Sequence, residues 1–252
     1  MQFLVRNHQE IAPTVFRMTL TGDTRGITNA GQFVQIALPG FYLRRPISIC
    51  DWCPGESGTL EIIYKTVGHG TEALSAFPIG AELDLLAGLG NGYDLQCSGA
   101  LACQKPLLVG GGVGAPPLYG LCKKLLEAGK KPTVLLGFNT AQEVFLQREF
   151  QALGVSCEVC TVDGSAGTAG FVTNGMSRLT NAYDYVFACG PEPMLKAVHS
   201  LCGTEKVGGQ FSFEERMACG FGVCMGCSCK TRYGSKRICK DGPVLRWEEI
   251  VW

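Results

Sequence analysis

The sequence predicts an α+β chain of three parts: an antiparallel β-barrel domain over residues 1–102, an α/β domain with a parallel sheet over 103–207, and a small cysteine-rich lobe over 208–252. Three observations carry this. Short apolar runs broken by Gly, Pro and Asn/Asp fill the first hundred residues. From about Lys105, short apolar runs alternate with helical stretches. Last, five of the 14 cysteines fall between Cys219 and Cys239.

The barrel strands are expected at 3–5, 15–20, 33–37, 47–50, 59–65 and 82–85, punctuated by turn chemistry such as Leu38-Pro-Gly40 and Cys53-Pro-Gly-Glu-Ser-Gly58. A short helix should open at Thr71 and stop before Pro78. In the second part, a buried strand at 106–109 runs into Gly110-Gly-Gly-Val-Gly114. A helix over 116–128 follows, with Gly129 as its stop, then a strand at 133–136, a helix over 140–153 and a strand at 157–162. A final strand at 185–188 leads into Cys189-Gly-Pro-Glu-Pro-Met194 and a helix to about 201. Strands alternating with helices mean crossover connections and a parallel sheet.

Composition removes some function classes. Lys plus Arg and Asp plus Glu are 22 each, so the formal charge is zero and a nucleic-acid partner, which needs a basic face, is not expected. No run of like charge suggests an acidic or basic tail. Arg6 and Glu10 interrupt any signal-like apolar run, and Gly and Pro cut every stretch long enough to span a bilayer, so no membrane partner is expected. A reducing cytoplasmic setting follows as the expectation. There Cys50, Cys53, Cys97, Cys103, Cys122, Cys157, Cys160 and Cys202 would mostly be small buried or half-buried thiols.

The segment Cys219-Gly-Phe-Gly-Val-Cys224-Met-Gly-Cys227 has C-x4-C-x2-C spacing, the ligand pattern of a plant-type [2Fe–2S] cluster. A compact cluster needs thiolates converging from one loop, and Gly220, Gly222 and Gly226 permit the close backbone approach this demands. Zinc is the alternative, but structural zinc sites usually present two separated C-x2-C pairs, and this chain has one. For the fourth ligand, Cys229 lies very close to Cys227, whereas a hairpin turning at Tyr233-Gly234-Ser235 would return Cys239 to the cluster.

Gly110, Gly111, Gly112 and Gly114 sit between a strand and a helix, where amides and a helix N-terminus can hold a pyrophosphate. The full G-x-G-x-x-G pattern is lacking, and no acidic residue clearly ends the next strand at Leu136-Gly-Phe-Asn139. A purely structural glycine turn is the competing reading. Cys189, Gly190 and Pro191 lie at a second strand end, and ligands of open α/β sheets bind along that edge. In the barrel, Arg45 of Arg44-Arg45-Pro46-Ile47-Ser48 could pair with phosphate and Ser48 with a ring nitrogen. Gly68-His-Gly70-Thr71 could receive a diphosphate at a helix start. The bland alternative is an edge arginine and a loop glycine pair.

Taken in order, R-P-I-S, G-x-G-T, C-G-P and the cysteine lobe resemble the ferredoxin-reductase superfamily of FAD enzymes. With Glu214-Glu-Arg-Met-Ala-Cys219 and Cys239-Lys-Asp-Gly-Pro243 added, the likeness extends along the whole chain to one family. That family is the electron-transfer subunits of class 1B, NAD-dependent dihydroorotate dehydrogenases.

The resemblance implies a ferredoxin-NADP reductase-like fold with an FAD barrel, an NAD domain and a [2Fe–2S] lobe. Arg45, Pro46, Ile47 and Ser48 would bind FAD, with Ser48 near the flavin N5. Ile63, Tyr64 and Lys65 would line it, and Gly70 and Thr71 would hold its diphosphate. Many relatives stack an aromatic at the position of Ile47, and the Pro-Ile form suits the dihydroorotate branch. Gly110, Gly111, Gly112, Gly114, Cys189, Gly190 and Pro191 would form the NAD site, with Cys189 facing the nicotinamide. Cys219, Cys224, Cys227 and Cys239 would be the cluster ligands. The implied partner is an FMN-containing catalytic subunit in a 2+2 heterotetramer. Electrons from dihydroorotate would pass through the cluster and FAD to NAD+ in pyrimidine biosynthesis.

FAD is needed because NAD exchanges hydride while a cluster passes single electrons. No general acid or base is therefore nominated, and His8, His69 and His199 read as ordinary polar residues. Phe221, Val223 and Met225 would either contact the partner or pack within the lobe. Two rivals stay open: an electron-transfer subunit of another NAD(P)-linked complex, such as a bifurcating ferredoxin-NADP enzyme or a sulfhydrogenase, and a redox sensor with a vestigial nucleotide site.

Overall fold

The computed structural model describes residues 1–97 and 103–252. Among these, six strands close an antiparallel barrel. They are β1 (Gln2–Ala12), β2 (Val15–Gly22), β3 (Phe33–Ile36), β4 (Arg45–Cys53), β5 (Gly58–Lys65) and β6 (Glu82–Leu89), in the order β1-β2-β5-β4-β3-β6. Alternation explains the closure: Phe3, Val5, Met18, Leu20, Val34, Ile36, Ile62 and Leu85 turn inward and bury one core. Burying each such side chain contributes about 1.5–3 kcal/mol. Helix α1 (His69–Ser75) follows β5, beginning two residues before the expected Thr71.

The second sheet has seven strands among the described residues. They are β7 (Pro106–Gly111), β8 (Thr133–Phe138), β9 (Cys157–Thr161), β10 (Thr168–Ala169), β11 (Tyr185–Cys189), β12 (Gly209–Ser212) and, from beyond the cysteine loop, β15 (Val244–Arg246). The order is β10-β9-β8-β7-β11-β12-β15, parallel except for the last pair. Helices α2 (Ala115–Glu127), α3 (Gln147–Ala152), α4 (Val172–Arg178) and α5 (Glu192–Glu205) make the crossovers. Between β12 and β15, a hairpin of β13 (Ser228–Thr231) and β14 (Gly234–Arg237) closes the cysteine lobe.

The helix expected over 140–153 is broken. Only a 3-10 turn at Ala141–Glu143 and the short α3 form, separated by Leu146 in a left-handed conformation with φ of 64°. The physical cause is local. The Glu143 carboxylate accepts from the Asn139 backbone N–H at 3.1 Å and its side-chain amide at 2.9 Å, an arrangement that competes with helix. Phe145 then turns inward to meet Phe138 edge-on at 5.3 Å. Cys97 and Cys103, expected as separate thiols, are joined as a disulfide, their Cα atoms 6.3 Å apart within bridging reach.

Barrel and sheet share one core in which Val15, Cys50 and Ile63 meet Leu118, Leu121 and Cys122 of α2. The approach is close enough that a Cβ on Gly120 would lie 2.8 Å from the Cys50 carbonyl oxygen. Lys123 to Asp51 at 2.6 Å and Arg17 to Glu149 at 2.7 Å tie the same face. No helix among the described residues is long and apolar enough to cross a membrane.

Candidate functional site

On the barrel, β4 carries Arg45 to the start of α1. Its guanidinium lies 4.8 Å over the Phe41 ring and donates to the Leu43 carbonyl at 2.5 Å. A Cβ on Gly70 would stand 2.0 Å from Arg45 Nε, so only glycine there lets the arginine lie across the turn. Thr71 donates its hydroxyl to the Gly68 carbonyl at 3.0 Å and accepts from the Val67 amide at 2.9 Å. The hydroxyl is thereby committed to shaping the turn. Pro46 and Ser48 pair across the ladder with Gln35 and Phe33, so these four share one face. Ile47 turns the other way, towards the barrel core.

Ile63, Tyr64 and Lys65 divide. Tyr64 is buried in the barrel and donates its phenol to His8 Nε2 at 2.8 Å, while His8 Nδ1 donates to the Phe77 carbonyl at 2.8 Å. Ile63 packs under α2, and Lys65 is half-buried. The histidines behave as polar residues of the frame: His199 stacks on Trp247 at 5.0 Å, and His69 is exposed beside Glu72.

The sheet register brings the two glycine-containing loops together. Gly110 of β7 lies opposite Cys189 of β11, at the C-terminal edge. A Cβ on Gly114 would meet the Cys189 carbonyl oxygen at 2.2 Å, and one on Gly111 would meet Met194 Sδ at 2.5 Å. Gly112 has φ of 51°, turning the chain into α2. Cys189 is enclosed, and burial pushes its thiol up to about 12. Beside this edge a cavity of about 490 Å³ is lined by Gly190, Pro191, Phe213, Glu214, Cys229 and Trp252. Two of its features escaped the sequence reading: the C-terminal Trp252, which folds back, and Cys229, which faces this cavity. Beyond the end of β8, Glu143 folds back through the turn and accepts from the Asn139 side-chain amide at 2.9 Å.

The cysteine loop, residues 213–227, has no regular structure. Gly220, Gly222 and Met225 take left-handed φ of 81°, 87° and 61°, and a Cβ on Gly220 or Gly222 would collide with Gln35 or Lys240. The four predicted cysteines meet as two pairs. The Cys224 amide donates to Cys219 Sγ at 3.5 Å, and the Cys239 amide donates to Cys227 Sγ at 3.3 Å. The hairpin makes the second pair by returning Ile238, whose N–H donates to the Cys227 carbonyl at 3.1 Å. Desolvation opposes ionisation of Cys219, yet the backbone N–H groups of Cys224, Phe221 and Val223 outweigh it and bring the thiol down to about 6. That donor set suits an anionic sulfur centre. Among the described residues no three His, Cys, Asp or Glu side chains converge as a single metal ion requires.

The lobe stands against β3, the strand paired with the Arg45–Ser48 segment of β4. Phe33 shares one buried cluster with Cys227, Ile238 and Cys239, while Gly220 sits on Gln35, directly across from Pro46. Arg237 braces the loop by donating to the Gly222 carbonyl at 2.9 Å. Phe221, Val223 and Met225 are 53%, 74% and 54% exposed, pointing outward rather than into the lobe.

Comparison with known proteins bears on both ends of this arrangement. Residues 214–251 match the iron-sulfur cluster binding domain of dihydroorotate dehydrogenase B, and residues 108–200 match the oxidoreductase NAD-binding domain. The electron transfer subunit of dihydroorotate dehydrogenase B (NAD(+)) from Geobacillus sp. (strain WCH70) is 40% identical over 257 residues, covering 99% of this chain and 98% of the relative. That of Bacillus pumilus (strain SAFR-032) is 42% identical over 254 residues, covering 98% and 96%. Among solved structures, a chain of the NADH-dependent reduced ferredoxin-NADP oxidoreductase superposes with a TM-score of 0.88 at 31% identity, covering 99% of this chain and 90% of that one. A ferredoxin NADP+ reductase from Neisseria gonorrhoeae, at 13% identity and a TM-score of 0.68 over 81% and 91%, shows the shared fold alone. The chain thus belongs to the family of electron transfer subunits of dihydroorotate dehydrogenase B (NAD(+)), an oxidoreductase subunit with an iron-sulfur domain and an NAD-binding domain.

Proposed function

We propose that this chain binds FAD and a [2Fe–2S] cluster and relays electrons from an FMN-bearing catalytic subunit to NAD+, within a 2+2 heterotetramer in the cytoplasm. Bound FAD supplies the exchange between single electrons and hydride that neither of the other groups performs. The observation that carries the reading is the seating of the cysteine loop, through Gly220, on the strand opposite Pro46. It puts the metal lobe and the flavin motif side by side, as a relay requires.

The residues divide the work. Arg45 and the Gly70–Thr71 turn neutralise and hold the diphosphate, while Pro46 and Ser48 of β4 face the ring system and Ile47, its side chain turned into the barrel core, contributes backbone only. Ile63, Tyr64 and Lys65 contribute backbone and packing from β5, since the Tyr64 hydroxyl is taken by His8. Gly110, Gly111, Gly112 and Gly114 let a dinucleotide approach β7, and Cys189, Gly190 and Pro191 hold its nicotinamide end. Cys219, Cys224, Cys227 and Cys239 would hold the cluster, their four thiolates suiting a two-iron centre that passes single electrons. Exposed Phe221, Val223 and Met225 form the apolar contact with the catalytic partner. Free thiols such as Cys50, Cys122 and Cys202 suit a reducing compartment. The division 1–102, 103–207 and 208–252 serves as a functional partition into flavin, nucleotide and cluster segments.

The test is to purify the tagged chain from its own host with whatever binds it and assay dihydroorotate-dependent reduction of NAD. Orotate and NADH should appear together. A yellow-brown preparation that passes electrons from NADH to a dye but ignores dihydroorotate would refute the pyrimidine assignment while leaving the relay intact.

A further inference from the structure

Gln35 is fully buried, yet neither end of its side-chain amide has a hydrogen-bond partner among the described residues. Leaving such a group unmatched is costly, and native proteins rarely do so without a reason. Its position supplies one. Along β3, Val34 and Ile36 face the barrel core, so by the two-residue alternation Gln35 joins Phe33 on the outer face. Phe33 belongs there to the same buried cluster as Cys227 and Cys239, and the Nε2 end of Gln35 is the nearest atom to a Cβ built on Gly220, at 2.5 Å. Gly220 directly follows Cys219. On the barrel side, Gln35 stands opposite Pro46 of the flavin motif. Its backbone is pinned as well, because the Gln35 carbonyl accepts from Arg44 at 3.4 Å while Arg44 also donates to the Asp84 carbonyl at 2.9 Å.

We propose that Gln35 is a barrel-borne tuning residue of the cluster: its side-chain NH2 donates to the sulfur shell at Cys219, binds the lobe to the flavin strand and raises the cluster's reduction potential. The direction follows from charge. Reduction adds an electron to the sulfur shell, and an N–H dipole aimed at it stabilises the more negative form. Hydrogen bonds to cluster sulfurs are a recognised lever on potential, and here the donor comes from the flavin domain instead of the cysteine loop. This rests on the proposed cofactor content, and the experiment separates the two.

The experiment is an EPR-monitored redox titration of the holo-complex, wild type against Gln35→Met, which keeps length and removes the donor. The variant should retain iron and flavin but show at least a threefold lower ratio of reduced to oxidised cluster at fixed poise. For one electron that is about 28 mV, at 59 mV per tenfold change. The flavin potential should stay put. An unchanged cluster potential, or a shift confined to the flavin, overturns the proposal. A second measurement needs no variant: with 15N in glutamine side chains, the reduced wild-type cluster should show a 15N hyperfine coupling, which Gln35→Met removes if it folds. Absence of that coupling overturns the proposal even where the variant does not fold. A reduced wild-type complex with no binuclear cluster signal would instead refute the cofactor reading, and this inference with it.

Discussion

The nucleotide edge of the sheet and the cysteine loop are built by opposite means. At Gly110–Gly114 and Cys189–Pro191, position is dictated by a parallel ladder whose strands are buried on both faces, so the site is shaped before any ligand arrives. At residues 213–227 there is no ladder, and left-handed glycines, sulfur-directed amides and the Arg237 brace do the holding. Loops of this length without secondary structure are uncommon unless they serve a function. One region is therefore a rigid receptor for a group that comes and goes. The other is held by its own backbone donors and by Arg237 around the proposed cluster site.

If that contrast is right, damage to each region should have a distinct signature. The largest effect is expected for Cys227→Ser. Loss of a buried thiol proposed as a cluster ligand should cut electron flow from dihydroorotate to NAD by more than about 100-fold, beyond the usual cost of losing an outer-shell partner. NADH-to-dye activity should persist because the sheet edge is untouched. Iron content and the two activities measured on one preparation check this, and parallel loss of both would break the contrast. Next is Gly114→Ala, whose methyl would stand 2.2 Å from the Cys189 carbonyl oxygen. Overpacking at backbone should cost about 1–3 kcal/mol or more and raise the KM for NADH. Iron content should not change. Thermal unfolding with NADH kinetics reads both.

A smaller effect is expected at the exposed face of the loop. Val223→Asp places a charge in a proposed apolar contact and should weaken the complex about tenfold, roughly 1.4 kcal/mol, without altering the isolated chain's iron content. Analytical ultracentrifugation over a dilution series measures it. A complex as tight as wild type would take Val223 out of the interface.

The same contrast explains what was legible in the sequence. Barrel strands announce themselves where one face is apolar, as in β1 and β2. The iron-sulfur character of the lobe was readable because cysteine spacing survives without regular structure. β12 and β15 were not separated from the cysteine lobe, since four-residue and three-residue strands buried in a sheet carry no periodicity. The break at Leu146 was hidden for another reason: it arises from a carboxylate reaching back four residues, which competes with helix in a stretch of otherwise helical composition. Gln35 was invisible because all four residues of β3 are buried, so its polarity looks like ordinary alternation until both faces are seen covered.

Acid offers the finest separation of frame from loop. On the barrel, hydrogen bonding from the Arg44 guanidinium, with help from the chain's N-terminal ammonium, holds the Asp84 carboxyl below its usual range. A carboxyl whose folded value is depressed contributes stability above its unfolded value of about 3.9, and loses it as pH falls through the lower folded value. The pair is more than a third exposed on the aspartate side, so solvent limits its contribution to about 0.2–1 kcal/mol. Asp84→Asn should therefore lower Tm by roughly 1–3 °C at pH 7. That gap should narrow below about pH 4 and close once the wild-type carboxylate is itself protonated. Iron content and the cluster's EPR line shape should be the same in both proteins at pH 7, because Arg44 keeps its bonds to the Gln35 and Asp84 carbonyls when the carboxylate is replaced. A gap that persists at low pH would mean that Asp84 acts through packing. A changed cluster signal would mean that the two regions are mechanically one.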